Sequence, residues 1–196
     1  MTKVGVLMGS ANDKPKMAGA VETLTEFGVA VEEHVMSAHR TPAQVAAFAR
    51  DARRNGFGAL ICGAGMAAHL AGAVAAQTTL PVVGVPLASG ALNGVDALYA
   101  TVQMPRGIPV ATVAIDNAAN AALLVIEMLA ITDHELADKL DAYRAAWAPA
   151  SNAPASNASA SNASTAKSTA RSTASKRTTA KPARAKTGTA RRVKAR

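Results

Sequence analysis

The chain has 196 residues, enough for one domain or at most two. Its single cysteine excludes a disulfide framework and a thiolate metal site, and no stretch is apolar for long enough to span a bilayer. The formal net charge is +8, and this charge is distributed unevenly along the chain.

The two parts of the chain differ in composition and charge. Residues 1–147 are rich in Ala, Val, Gly and Leu, and they hold all 13 acidic side chains with 10 Lys and Arg, a net −3. Residues 148–196 carry the other 11 Lys and Arg and no acid, +11, so the two parts sum to +8. This second part has almost no large apolar side chain that could offset its chain entropy. We therefore predict a folded domain over 1–147 and a disordered basic tail over 148–196.

The tail accounts for the positive charge, so the charge says nothing about the domain's substrate. A basic tail can contact nucleic acid through counterion release, but a solvated appendage without a dedicated partner is the favoured interpretation. The N-terminus enters a strand without a charged and then apolar leader. We therefore expect a cytoplasmic protein with no membrane contact.

The first predicted unit is a strand, a turn and a helix. Residues 4–8 are too short an apolar run for a helix and predict a strand buried on both faces. The turn 9–13 leads into an amphipathic helix over 14–28, and its backbone N–H groups can face an anion. It lacks the ending of a P-loop and the glycines of a dinucleotide fingerprint. ATP and NAD are therefore disfavoured, whereas a monophosphate fits.

The second unit carries the most informative segment. A strand over 29–36 ends in Ser37-Ala38-His39-Arg40-Thr41-Pro42, and a helix over 42–55 follows. In open α/β sheets, this strand-to-helix edge is where ligands bind. His39 is suited to moving protons near neutral pH, and Arg40 can bind a phosphate through two parallel hydrogen bonds. The alternative is that Ser37 and Thr41 only cap the helix and His39 is merely exposed, and the segment alone does not decide.

Two further loops follow later strands. A strand over 57–62, with Cys62 expected to be buried, enters the small-residue segment 63–72, where a ligand can approach the backbone closely. His69 in this segment is either a ligand contact or a packed, hydrogen-bonded histidine, and the spacing favours the second. A strand over 82–85 enters the loop 86–94, which carries Ser89.

The remaining elements complete an alternating pattern. They are a helix over 95–102, a strand over 110–115, a helix over 117–131 and a last helix ending near Trp147. The 117–131 helix is apolar nearly all round, which predicts burial, for which a subunit interface is a natural place.

This alternation predicts an α/β fold, a three-layer αβα sandwich with a flavodoxin-like parallel sheet. Three small-residue loops then converge on one edge of the sheet, and they carry Ser10, Asp13, Ser37, His39, Arg40 and Ser89. The pattern indicates a small phosphate-bearing ligand beside an acid/base histidine.

Taken together, the motifs resemble a known family. They are Met8-Gly9-Ser10-Ala11-Asn12-Asp13, the 37–42 segment, the 63–72 segment, Gly84-Val85-Pro86 and the 102–110 segment. In this order and spacing they are similar to class I N5-carboxyaminoimidazole ribonucleotide mutase, in the family of the phosphoribosylaminoimidazole carboxylase catalytic subunit. The resemblance covers nearly all of residues 3–147, and the tail has no counterpart in it.

The resemblance implies an isomerase of de novo purine biosynthesis that needs no cofactor. The carboxylate on N5 of the ribonucleotide is released as CO2 and recaptured at C4, which gives 4-carboxy-5-aminoimidazole ribonucleotide. His39 would be the single acid/base, Ser10 and Arg40 would bind the phosphate, and Asp13 would bind the ribose hydroxyls. Residues 63–68 would form a tight CO2 pocket that excludes water, and His69 would contact the substrate carboxylate. The implied substrate-binding set is completed by Gly9, Ser37, Ala64, Gly65, Ala67 and Leu70.

The resemblance also implies a homo-octamer in which segment 103–107 completes a neighbour's site. The chain departs from the family pattern in three places. It has Met66 where glycine is usual, Ala71 where proline is usual, and a shorter loop over 115–120. Two other functions are considered: a carboxylase that uses free CO2 and unmodified aminoimidazole ribonucleotide, and a non-catalytic nucleotide-binding module.

Overall fold

Five parallel strands form the centre of the molecule in a computed structural model, which describes residues 2–147. The strands are β1 (Lys3–Met8), β2 (Ala30–Val35), β3 (Phe57–Gly65), β4 (Val82–Leu87) and β5 (Ala111–Thr112). Their order across the sheet is β2-β1-β3-β4-β5, with every pair parallel. This order confirms the predicted flavodoxin-like sheet. The predicted disordered tail, 148–196, lies outside the described residues.

Helices cover both faces of this sheet. They are α1 (Lys14–Glu26), α2 (Pro42–Asp51), α3 (Leu70–Ala75), α4 (Val95–Val102), α5 (Ala118–Ala130) and α6 (His134–Ala145). Side chains alternate along the central strands, so Val6 packs with α1, α5 and α6 while Leu7 packs with α2 and α3. The predicted three-layer αβα sandwich is therefore confirmed. No helix within residues 2–147 has the length and apolar character needed to cross a bilayer.

Three predicted elements differ in extent by three or more residues from those in the structure. Strand β3 runs on to Gly65, because Gly63, Ala64 and Gly65 pair with the last residues of β4. Helix α2 ends at Asp51 rather than residue 55. Strand β5 is only two residues long and pairs with β4 alone.

Burial of α5 has an explanation within the chain. Its buried residues belong to the same core cluster as Leu24 of α1 and Leu140 of α6. Burial of the apolar 117–131 helix is confirmed. A subunit interface is not needed to explain its buried face, since the chain's own helices cover it.

Candidate active site

The turn between β2 and α2 holds His39 and Arg40 in a defined position. The Thr41 hydroxyl accepts a hydrogen bond from the Ser37 backbone N–H (3.0 Å) and donates to the Ser37 carbonyl (3.1 Å). The Ser37 hydroxyl accepts from the Arg40 N–H at 3.2 Å. Thr41 occupies the N-cap position of α2 but makes no capping hydrogen bond there. The prediction that the Thr41 side chain caps α2 is therefore wrong. Its hydroxyl instead closes the turn that presents His39 and Arg40.

Arg40 links this turn to the loop after β1. Its Nη2 donates to the Gly9 carbonyl at 3.0 Å, and the other guanidinium N–H groups have no partner among residues 2–147, so they can donate to a ligand. In the same loop, the Ser10 hydroxyl accepts from the Asn12 N–H, and the Ser10 carbonyl accepts from the Asp13 N–H. The short helical turn Ala11–Asp13 thus places Ser10 and Asp13 beside Arg40.

His39 and His69 face each other across the site. Nε2 of His39 lies 2.9 Å from Nδ1 of His69, and the two rings are nearly perpendicular. At this distance one ring nitrogen donates its proton and the other accepts it, so the tautomers of the two imidazoles are coupled. His69 is exposed. The favoured interpretation of His69 as a packed, hydrogen-bonded histidine is confirmed in its hydrogen bond to His39, and the contact is made at an exposed position.

The loops line an open cavity of about 370 Å³. All eleven site residues proposed from the sequence line it: Gly9, Ser10, Asp13, Ser37, His39, Arg40, Ala64, Gly65, Ala67, His69 and Leu70. Ala38, Met66 and Ser89 complete the wall. Ser89 comes close because Gly65 has no side chain, since a Cβ there would lie 2.2 Å from the Ser89 hydroxyl.

Opposing effects act on the pKa of the Asp13 carboxyl group in the cavity. Partial burial raises the pKa of Asp13, and the Ser10 hydrogen bond, Lys16 and Arg40 oppose that shift.

The buried Cys62 thiol, in β3 next to the cavity-lining segment, has its pKa raised by burial and is therefore no nucleophile. Within residues 2–147, no group of three or more His, Cys, Asp and Glu side chains could hold a metal ion.

An ion pair behind the cavity was missed by sequence reasoning. Lys16 Nζ lies 2.9 Å from an Asp116 carboxylate oxygen and also donates to the Ala88 carbonyl. Asp116 in turn accepts from the Ala88 N–H at 2.9 Å. The pair thus holds both backbone groups of the residue before Ser89. Lys16 and Asp116 are a hundred residues apart, and neither lies in a local pattern that would pair them.

The arrangement combines three chemical capabilities. Arg40 and the Ser10 turn present hydrogen-bond donors to an anionic group, and the Asp13 carboxylate can accept from hydroxyl groups. The two imidazoles can give and take a proton. Small residues of the β3 loop leave space for a compact reacting group.

Comparisons with known proteins identify the family of this chain. The sequence model of the family described as "AIR carboxylase" matches residues 3–149. N5-carboxyaminoimidazole ribonucleotide mutase from Pyrococcus abyssi is 54% identical over 144 residues, 74% of this chain and 83% of that protein. Phosphoribosylaminoimidazole carboxylase from Saccharomyces cerevisiae is 50% identical over 140 residues, 71% of this chain but 24% of that protein. The crystal structure of Treponema denticola PurE superposes with a TM-score of 0.69 at 28% identity, covering 74% of this chain and 91% of that one.

Proposed function

Because the chain belongs to the AIR carboxylase family, we propose that it converts N5-carboxyaminoimidazole ribonucleotide into 4-carboxy-5-aminoimidazole ribonucleotide, a step of de novo purine biosynthesis. The observation that carries the proposal is the hydrogen-bonded His39–His69 pair beside Arg40 in one cavity. The histidine pair can transfer a proton, and Arg40 beside it can bind a phosphate. The proposed isomerisation needs no cofactor.

The substrate's ribose phosphate would bind first to the loops after β1 and β2. Arg40 and Ser10 would bind the phosphate, and Asp13 would accept hydrogen bonds from the ribose hydroxyls. Gly9 and Ser37 hold this part of the site through the Arg40 contacts described above. The imidazole ring would then face His39, His69 and the Ala64–Ala67 wall, with Leu70 beneath it.

The reaction needs one group that donates and later recovers a single proton. As the carbamate C–N bond breaks, CO2 leaves, the bonding electrons stay on nitrogen, and His39 donates the proton that nitrogen takes. C4 then attacks CO2, a C–C bond forms, and the proton on C4 passes to His39. Protons and electrons balance, so the net reaction is an isomerisation. His69 would fix the His39 tautomer and contact the carboxylate.

The direct test supplies the N-carboxylated ribonucleotide without bicarbonate and follows the C4-carboxylated product. Rapid conversion supports the mutase. A second candidate is a carboxylase acting on aminoimidazole ribonucleotide and free CO2, favoured by the family description and by the name of the yeast relative. Product formation only from aminoimidazole ribonucleotide with bicarbonate would indicate that activity. Binding without either conversion would indicate a non-catalytic nucleotide-binding module.

We further propose a homo-oligomer, with an octamer as the expected size. Helix α4 exposes Val95, Tyr99 and Val102, which are 45%, 61% and 47% exposed and lie on one face by their helical spacing. This apolar stripe leads directly into segment 103–107, which would complete a neighbour's site.

The division into a mutase domain, 1–147, and a basic tail, 148–196, also remains a proposal. The family match over residues 3–149 supports the domain boundary. For the tail, a solvated appendage is proposed ahead of nucleic-acid contact. A cytoplasmic location follows from the substrate proposed here, because a charged ribonucleotide does not cross a membrane unaided.

A further inference from the structure

Ser89 carries a hydroxyl that the fold does not use as a helix cap. It occupies the N-cap position of the short helical turn Gly90–Leu92, where a serine usually accepts a hydrogen bond from a backbone N–H of the first turn. Its side chain makes no such bond. Ser89 is exposed and lines the cavity, so its hydroxyl is available to a bound ligand.

The Ser89 hydroxyl lies against the end of β3. A Cβ on Gly65 would lie 2.2 Å from the hydroxyl oxygen, so only glycine leaves room for the hydroxyl at this place. Gly65 belongs to the Ala64–Ala67 wall, which faces the imidazole ring in the proposed arrangement of the substrate, whereas Arg40 binds the phosphate. The hydroxyl therefore lies at the end of the cavity that receives the ring and its carboxylate.

The position of Ser89 is fixed through the residue before it. The Asp116 carboxylate accepts a hydrogen bond from the Ala88 N–H at 2.9 Å, and Lys16 donates to the Ala88 carbonyl. The Asp116 N–H also donates to the Pro86 carbonyl at 2.9 Å, so Asp116 holds the chain on both sides of the end of β4. Asp116 does so from a left-handed backbone, with φ at +56°. Such a conformation persists only where the surrounding structure holds it, and it is concentrated at functional sites.

We propose that the Ser89 hydroxyl donates a hydrogen bond to the carboxylate of the ribonucleotide, and that Asp116 is the positioning residue that places this hydroxyl. The inference rests on the mutase function proposed above and adds a substrate contact to it. A hydroxyl donates well to a carboxylate, and a hydrogen bond to a charged group is stronger than one between neutral groups. Asp116 does not line the cavity, so it acts through Ala88 and Ser89 rather than on the substrate.

The test compares two ribonucleotides that differ only in the carboxylate. Calorimetry measures the affinity for 4-carboxy-5-aminoimidazole ribonucleotide and for aminoimidazole ribonucleotide, which keeps the ring, the ribose and the phosphate. The variants are Ser89→Ala, Asp116→Gly and the two combined. Glycine fits the left-handed backbone at position 116, so Asp116→Gly removes the carboxylate without adding strain.

A matched control is available in the same loop. Asn93 also has a left-handed backbone, with φ at +48°, and it lies outside the cavity lining, so Asn93→Gly relieves the same kind of conformation without touching Ser89's position. Lys16 is left unchanged, because its charge also acts on the pKa of Asp13 and a variant there would disturb ribose binding as well.

We expect Ser89→Ala to bind the carboxylated ribonucleotide about tenfold more weakly, the effect of losing one hydrogen bond to a charged group. Its affinity for aminoimidazole ribonucleotide should stay within about twofold of wild type, which also shows that the variant is folded. Asp116→Gly should show the same selective loss. Adding Asp116→Gly to Ser89→Ala should cause no further loss, because the hydroxyl that Asp116 positions is already gone. Asn93→Gly should bind both ribonucleotides as the wild type does.

Unchanged affinity of Ser89→Ala for the carboxylated ribonucleotide, or an equal loss for both ribonucleotides, would overturn the contact between Ser89 and the carboxylate. Unchanged affinity of Asp116→Gly, or a further loss in the combined variant, would overturn positioning by Asp116. Each of these results leaves the mutase proposal standing. A wild type that binds neither ribonucleotide would overturn both.

Discussion

Replacing His39 with Asn should reduce turnover at least about a hundredfold while leaving the fold intact. His39 is exposed, and its one described side-chain hydrogen bond goes to His69. An intramolecular hydrogen bond contributes about 1 kcal/mol net, which corresponds to a shift of about 2–4 °C in melting temperature for a chain of this size. Loss of the only proton carrier in the proposed mechanism should reduce kcat about 10²- to 10⁴-fold. That loss equals about 3–5 kcal/mol of transition-state stabilisation, well above the stability cost.

The assay follows conversion of the N-carboxylated ribonucleotide by chromatography, corrected for decarboxylation without enzyme. Binding of the C4-carboxylated product is measured by calorimetry, and the melting temperature by circular dichroism. His134→Asn is the matched control, because His134 is exposed and begins α6, outside the cavity. The His39 variant should bind the product with near-normal affinity, and the His134 variant should resemble the wild type throughout.

If His39→Asn kept its turnover within about tenfold of wild type, acid/base catalysis by this imidazole would be refuted, because general acid–base catalysis contributes more than that. A melting temperature lowered by much more than a few degrees would show instead that the His39–His69 contact is structural.

Four further predictions address the rest of the chain. Arg40→Lys keeps the positive charge but cannot donate two parallel hydrogen bonds to a phosphate, so calorimetry should show about ten- to hundredfold weaker ribonucleotide binding. Unchanged affinity would contradict phosphate binding by Arg40. The raised pKa of Asp13 means that its ionisation costs stability as pH rises through and above the ordinary value of 3.8. Asp13→Asn should therefore melt higher than wild type at pH 7 but not at pH 3, and an equal difference at both pH values would count against this cause. Tyr99→Glu places a charge on the α4 stripe and should yield smaller assemblies by light scattering, whereas an unchanged mass would exclude that face as an interface. Ending the chain after Trp147 should leave kcat/KM within about twofold of the full chain, and a large loss would contradict a tail without a role in catalysis.

The sheet and its helices could be predicted because their patterns are local. Met17 and Leu24 fall at helical spacing and are buried in α1, and the apolar run of β1 is buried as expected. Convergence of the loops followed from one topological rule, that the carboxyl ends of parallel strands share an edge. The cavity around His39 and Arg40 is the result of that rule.

What escaped prediction depends on contacts between distant residues or on competing hydrogen bonds. The Lys16–Asp116 pair joins α1 to the loop between β5 and α5, a hundred residues later, and leaves no periodic signal. Thr41 had both a helix N-terminus and the Ser37 backbone within reach, and the structure uses the second. Strand β3 is also longer than its apolar run suggested, because Gly63, Ala64 and Gly65 pair with the end of β4.

The buried Cys62 has a practical consequence. It is the one thiol of the whole chain, it is 2% exposed, and it lies in a central strand. A thiol-specific reagent can therefore reach it only when the sheet opens, so the rate of Cys62 labelling measures how often the native molecule unfolds. Comparing the labelling rate with and without ribonucleotide would measure how much ligand binding stabilises the folded sheet.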